Sequence, residues 1–161
     1  MLKYIKQKIK NKFDMKSYSV GILQDQVYRI LKNQTNLILE SYELNSFDWA
    51  ILGMLYESSE GENAIDLAKE KGVSQAFISK VVKKLYKNKY IIIKKEKDTR
   101  YKKIHLSELG KDKVTEIEPI LKQKMRLLLT GIEVHEMYGY ITTLKKISEN
   151  SQKIAFVEKV F

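Results

Sequence analysis

The side chains best suited to chemistry in this sequence are cations, and they are concentrated in one stretch of the chain. Residues 69–103 contain thirteen basic and three acidic side chains, so this window alone carries the formal net charge of +10. The rest of the chain has seventeen side chains of each sign. Such polarisation favours a polyanionic partner. A generally lysine-rich composition would explain the number of lysines but not their concentration here.

The composition excludes several other classes of chemistry. The 161 residues include no cysteine and two histidines, His105 and His135, which leaves no thiol chemistry, no disulfide and no convincing metal cluster. No nucleophile–base pair or phosphate-binding loop stands out, so we expect a binding protein without a cofactor rather than an enzyme. We also expect no membrane span, no secretory signal and a cytoplasmic location.

The spacing of apolar residues places the cations on predicted elements. A short helix at 62–71, a glycine turn at Gly72 and a second helix at 75–88 form the pattern of a helix-turn-helix. Four apolar residues of the second helix are predicted to face the core: Ile78, Val81, Val82 and Leu85. The predicted DNA-binding face of this helix comprises Ser74, Gln75, Ala76, Phe77, Ser79, Lys80, Lys83 and Lys84.

Side chains on this face suit different contacts with a duplex. Gln75 can donate and accept hydrogen bonds, so it can read a base edge, and adenine is favoured by geometry. Ser79 can contact a base or a phosphate. Lys80, Lys83 and Lys84 suit phosphates, which give affinity rather than sequence preference. The alternative is an ordinary solvated helix face, which lysine and glutamine also make.

A β-branched run, residues 90–93, and an alternating segment, residues 101–107, predict a hairpin directly after the helix-turn-helix. The DNA-binding side chains predicted on this hairpin are Lys95, Lys97, Asp98, Arg100 and Lys102. Arg100 at the tip can enter a narrow A·T-rich minor groove, and Asp98 can hold its guanidinium by paired hydrogen bonds. The alternative is a charged surface hairpin with a weak salt bridge.

These blocks resemble the MarR family of winged-helix transcriptional regulators over residues 46–112. The wing of that family reads Asp-x-Arg, three residues, an aliphatic, one residue, then Leu-Ser/Thr-x-x-Gly. Here the same spacing is met by Asp98-Thr99-Arg100, Ile104, Leu106-Ser107 and Gly110. Segment 47–52 is similar to the family's entry into its second helix, 66–68 followed by 72–74 to its helix-turn-helix core, and 79–85 to its recognition helix.

Three positions depart from the family pattern. Lys71 stands where leucine is usual, Gln75-Ala76 replace a frequent proline-containing start, and Lys89 replaces a common glycine. The fold expected from the resemblance is unaffected by these changes. The base preference of the recognition helix, however, cannot be transferred by analogy.

The resemblance implies a mainly α (α+β) fold, in which a winged helix-turn-helix with a small β-hairpin is flanked by N- and C-terminal dimerisation helices. We expect a basic N-terminal arm at 1–16, a dimerisation helix at 17–45, the DNA-binding domain at 46–112 and C-terminal dimerisation helices at 113–161. The arm is amphipathic and could add to the dimer, touch DNA or lipid, or be disordered.

The function implied is that of a homodimeric, sequence-specific regulator of double-stranded DNA, more specifically a repressor at a pseudo-palindromic operator. Family members often bind small, frequently anionic aromatic effectors. Tyr28, Tyr42 and Trp49 are candidates to line such a pocket, although aromatics at helical spacing are more often core residues. Two alternatives stay open: a winged helix that binds RNA or packs the nucleoid without sequence preference, and a PadR-like regulator.

Overall fold

The structure is a computed structural model that describes residues 17–95 and 102–160. The predicted basic arm, residues 1–16, lies outside the described residues. Within them the chain forms six α-helices, one 3-10 turn and one antiparallel pair of strands: α1 (Ser17–Leu39), the 3-10 turn (Glu40–Tyr42), α2 (Ser46–Glu57), α3 (Ala64–Lys71), α4 (Gln75–Lys87), β1 (Ile91–Lys95), β2 (Lys102–Leu106), α5 (Glu108–Leu128) and α6 (Val134–Val160).

Helix α1 ends earlier than the apolar spacing predicts. That spacing predicts a single helix to about Leu44, but the α-helix stops at Leu39 and a 3-10 turn follows. Glu43 adopts a left-handed conformation with φ of 57°, and the Leu44 N–H donates to the Leu39 carbonyl over 3.1 Å. This turn buries Leu44 in the core, so burial of one leucine outweighs the strain of a non-glycine residue at positive φ.

Residue types at 45–46 predict an N-cap, and the structure has one at Asn45. The Asn45 side chain accepts hydrogen bonds from the N–H groups of Phe47 and Asp48, while the Asp48 carboxylate accepts from the Asn45 N–H. This reciprocal capping box satisfies donors that a helix start otherwise leaves open. The Asn36 side chain also accepts from the Ser46 N–H over 2.7 Å and thereby ties α1 to α2.

The helix-turn-helix is formed by α3, the turn at 72–74 and α4. Gly72 has φ of 62°, and Ser74 accepts from the Phe77 N–H to cap α4. Helix α3 begins two residues later than predicted because the Asn63 side chain caps it. The four predicted core residues of α4 are all buried, which confirms them: Ile78, Val81, Val82 and Leu85.

The hairpin follows α4 directly, and its register pairs Ile91 with Leu106 and Lys95 with Lys102. The alternation over 101–107 predicts that Ile104 and Leu106 face inward, and both are buried. An isolated antiparallel β-bridge joins Glu62 to Ile104, whose backbones exchange two hydrogen bonds over 2.9 and 2.7 Å. The sequence did not predict this bridge.

Two compact units divide the chain, one up to Lys122 and one from Gln123 onward. The core of the first unit consists of buried side chains from these elements: the end of α1, helices α2 to α4, both strands and the first half of α5. The sequence allows Pro119 either a kink or a first-turn position, and the structure places it well inside α5. Gly131, with φ of 78°, lies between α5 and α6. Over residues 17–95 and 102–160, none of the helices is both long and apolar enough to span a bilayer.

Candidate nucleic-acid interface

One side of α4 is buried against the core and the other side is exposed, as the sequence predicts. The exposed residues begin at the N-cap and its first turn with Ser74, Gln75 and Ala76, followed by Ser79, Lys80 and Lys83. Lys87 extends this surface and was missed by the sequence reasoning. Its position four residues after Lys83 is the signal that could have found it, because residues at that spacing share a helix face. The result is a neutral polar N-terminal turn followed by a stripe of cations.

Two predicted members of this face also contact α2: Phe77, which is itself 44% exposed, and Lys84. The Phe77 ring packs edge-on against the Phe47 ring, with 4.9 Å between ring centroids. The Lys84 ammonium lies 2.6 Å from a carboxylate oxygen of Asp48. The Asp48 side chain is only 2% exposed, whereas that of Lys84 is 41% exposed. This pair therefore joins α4 to the capped start of α2.

Four lysines lie at the end of β1 and the start of β2, away from α4 and α5. Lys95 lies opposite Lys102, and Lys94 lies opposite Lys103. Like charges directly across two strands repel each other, so this end of the hairpin is a positive region that a polyanion would stabilise. The Lys103 ammonium is partly engaged, since it donates to the Gly61 carbonyl over 3.1 Å. The predicted wing residues Lys97, Asp98 and Arg100 lie outside the described residues.

The base of the hairpin is fixed by the start of α5. The Ser107 hydroxyl donates to the Lys89 carbonyl over 2.6 Å and accepts from the Gly110 N–H over 2.9 Å. The Ser107 N–H donates to the Tyr90 carbonyl over 3.0 Å. The Leu-Ser-x-x-Gly segment thus places the end of β2, the start of β1 and α5 in a fixed relation.

No protein-family model matches the sequence. Solved structures are nevertheless similar over most of the chain. A MarR-family transcriptional regulator from Rhodococcus sp. RHA1 has a TM-score of 0.74 and 20% identity, covering 83% of this chain and 95% of that one. The S. aureus MepR–DNA complex has a TM-score of 0.71 and 22% identity, covering 81% and 96%. CouR from Rhodococcus jostii RHA1 bound to p-coumaroyl-CoA has a TM-score of 0.73 and 20% identity, covering 80% and 91%.

The chain has the MarR-family winged-helix fold. The predicted fold, a winged helix-turn-helix with a small hairpin and flanking N- and C-terminal helices, is confirmed. In this fold α4 is the second helix of the helix-turn-helix and the hairpin is the wing.

A cleft of about 640 Å³ lies between α1, the start of α2 and the helix-turn-helix. Its lining includes two of the three predicted pocket residues, Tyr28 and Trp49, together with Phe47 and Phe77. Two cations also line it: the Lys32 ammonium lies 5.8 Å from the centre of the Tyr28 ring, and the Lys71 ammonium lies 5.7 Å from that of Phe47. The cleft can therefore offer aromatic surface and positive charge together.

Tyr42, the third predicted pocket residue, does not line this cleft. The Lys113 ammonium lies 5.5 Å from the centre of its ring. Burial, and then the neighbouring carboxylate of Glu116, raise the pKa of the Tyr42 hydroxyl above its ordinary value of 10.0. Lys113 donates to Glu116 over 2.6 Å, and this hydrogen bond lowers the pKa of the Glu116 carboxyl. Tyr42 thus belongs to a polar cluster that joins the end of α1 to α5.

Proposed function

We propose that this chain is a sequence-specific regulator of transcription that binds double-stranded DNA, rather than an enzyme. The observation that carries the proposal is the exposed face of α4, whose neutral polar N-terminal turn precedes a stripe of lysines. A major groove about 12 Å wide accepts a helix with its N-terminal residues against the base edges. In this arrangement Gln75 and Ser79 face bases, while Lys80, Lys83 and Lys87 face phosphates.

The similar solved structures support this assignment. One of them, MepR, is a DNA complex. The lysines at 94, 95, 102 and 103 fit a wing that follows the phosphate backbone. From the sequence we also propose that Arg100 enters a minor groove and that Asp98 holds its guanidinium in place.

We further propose that the regulator acts as a homodimer at a pseudo-palindromic operator, as a repressor. Exposed apolar side chains on α1 and α6 support a partner surface, among them Ile22, Leu37, Val134, Tyr138 and Ile147. A second copy that covers these helices would place two recognition helices about 34–36 Å apart, or a multiple of this. Sedimentation at micromolar concentration tests the dimer, and a monomer there contradicts it.

Selection of bound duplexes from a random pool is the decisive experiment for the function. The purified full chain should enrich a palindromic motif, and that motif should bind about 10³-fold or more tightly than a scrambled duplex at physiological salt. If scrambled duplex or RNA competes equally well, the chain is a non-specific nucleic-acid-binding module. A PadR-like regulator would also select a motif, but its binding would not depend on the Asp98–Arg100 pair.

A second candidate activity is the binding of a small effector that controls release from DNA. It is favoured by the cleft that contains Tyr28 and Trp49, which combines aromatic side chains with two lysines. One similar structure, CouR, is bound to p-coumaroyl-CoA, an aromatic ligand that carries negative charge. We propose that this cleft takes an aromatic anion.

A further inference from the structure

The Asp48 carboxylate is the most enclosed charged group among the described residues of the interface. Its side chain is 2% exposed, and one oxygen, Oδ2, accepts both the Lys84 ammonium over 2.6 Å and the Asn45 N–H over 3.0 Å. A buried carboxylate is tolerated when it is paired and hydrogen-bonded, and it is costly when a partner leaves. The Lys84 ammonium is therefore paired with the Asp48 carboxylate in the free protein.

This ion pair distinguishes Lys84 from the other lysines of α4. Lys80, Lys83 and Lys87 are exposed along one side of the helix. Lys84 gives one of its donors to Asp48, and if its ammonium moved away to a phosphate, the carboxylate would keep a single backbone donor from Asn45. Lys84 thus differs in its contacts from Lys83, although the two are adjacent in sequence and identical in type.

A second contact between the same two helices lies two turns away. Phe47, the neighbour of Asp48, packs against Phe77 with 4.9 Å between ring centroids. Phe77 and Lys84 are seven residues apart, so they lie on the same side of α4, about 10.5 Å apart along its axis. Two adjacent residues of α2 therefore hold α4 at two separated points, and two points define a direction where one point does not.

We propose that Lys84 is a positioning residue, whose ion pair with Asp48 sets the direction of the recognition helix together with the Phe47–Phe77 contact, and that it does not bind phosphate. This inference rests on the proposed DNA-binding function. It follows that Lys84 determines how well Gln75 and Ser79 meet their bases. It does not contribute to the salt-dependent attraction to the backbone.

Matched substitutions of two adjacent lysines test this assignment. In Lys84→Met, affinity for the selected operator should fall by about tenfold, the size of a mismatched base pair. Affinity for scrambled duplex and the slope of log Kd against log salt should not change. In Lys83→Met, both affinities should fall together and the slope should become shallower by about 0.9. Lys84→Arg keeps a cation beside Asp48 and should restore operator affinity.

Two outcomes would overturn the proposal. One is a shallower salt slope in Lys84→Met with equal losses on operator and scrambled duplex, which would make Lys84 a phosphate ligand. The other is a folded Lys84→Met protein that binds the operator as wild type does, which would show that the ion pair positions nothing. Thermal melts of both variants identify any loss that comes from unfolding instead.

A labelling experiment on the wild-type protein tests the same point without any variant. Limited acetylation followed by mass spectrometry should modify Lys83 readily in the free protein and Lys84 slowly, because the Lys84 ammonium is held by Asp48. Added operator duplex should protect Lys83 and leave Lys84 unchanged. Rapid labelling of Lys84 that DNA suppresses would contradict the proposal. If wild type binds no duplex specifically, the proposed function fails, and labelling of the free protein still decides whether Asp48 holds Lys84.

Discussion

A β-carbon added to Gly110 would overlap the backbone carbonyl oxygen of Tyr90. The first turn of α5 therefore lies directly against the residue that precedes β1. The same carbonyl accepts a hydrogen bond from the Ser107 N–H. The Leu-Ser-x-x-Gly segment therefore packs closely against the backbone of Tyr90. Its effect is to fix the base of the wing relative to α5.

Replacement of Gly110 by alanine should destabilise the protein by about 2 kcal/mol or more, because the neighbour is backbone and a clash in a packed site typically costs about 1–3 kcal/mol. Thermal and denaturant unfolding measure the effect. Gly53→Ala is the matched control, since Gly53 also lies in a helix but has open space within 4 Å of the position that an added β-carbon would take. That change should be neutral or stabilise by up to about 1 kcal/mol. Equal effects at the two glycines would refute the steric argument.

Local signals made much of the recognition helix predictable from sequence. The Ser74 cap, the glycine turn at 72 and the four buried positions of α4 follow from residue type and helical spacing, and all are found. The spacing to Gly110 also pointed to the fold, although its steric reason is visible only in the folded chain.

Features that depend on tertiary contacts were not predictable. The turn at Glu43 lacks the usual glycine, and the pairing of Glu62 with Ile104 joins segments that lie far apart in sequence. Helical spacing places Lys84 on the outward side of α4 with Lys80 and Lys83, but it does not predict the ion pair of Lys84 with Asp48, 36 residues earlier. Residue type and spacing carry no information on partners at such separations, so these contacts needed the folded chain.

Lys89→Gly should stabilise the protein. Lys89 has φ of 60°, a backbone conformation that costs a non-glycine residue about 1–2 kcal/mol. Glycine removes this strain, but its greater flexibility in the unfolded chain lowers the free energy of unfolding by roughly 0.5–1 kcal/mol. We expect the melting temperature to rise by about 2–4 °C. Lys89→Ala removes the charge but keeps the β-carbon, so it should give no gain. A similar gain in both variants would assign the effect to charge instead.

The Glu116 carboxyl should make a pH-dependent contribution to stability. Its pKa is lowered from 4.5, chiefly by the hydrogen bond from Lys113, so the folded state keeps it ionised where the unfolded chain begins to take up a proton. The contribution is present above the unfolded pKa and is lost as the pH falls through the folded pKa. Glu116→Gln should therefore lower stability at neutral pH and differ less from wild type in acid. In a Lys113→Met background this pH dependence should shrink, and its persistence would exclude Lys113 as the cause.

Gln75→Ala should change base preference more than total affinity. Gln75 is exposed in the first turn of α4, where an amide can make paired hydrogen bonds to one base. Selection from a random pool should show relaxed preference at one position in each half-site, with the salt slope unchanged. Lys80→Met is the matched control and should weaken binding to all sequences alike. A uniform loss in Gln75→Ala would move this residue to the backbone contacts.

The cleft beside α4 should bind an aromatic carboxylate, for which benzoate is the simplest probe. Trp49 is the single tryptophan of the chain and lines this cleft, so its fluorescence reports occupancy directly. Lys71→Met and Lys32→Met should each weaken benzoate binding by up to about fivefold, as expected for a partly exposed charge contact of up to about 1 kcal/mol. Benzylamine, which has the same ring and the opposite charge, should bind more weakly than benzoate. If the amine binds as well as the acid, the lysines do not select the ligand and the cleft is not an anion site.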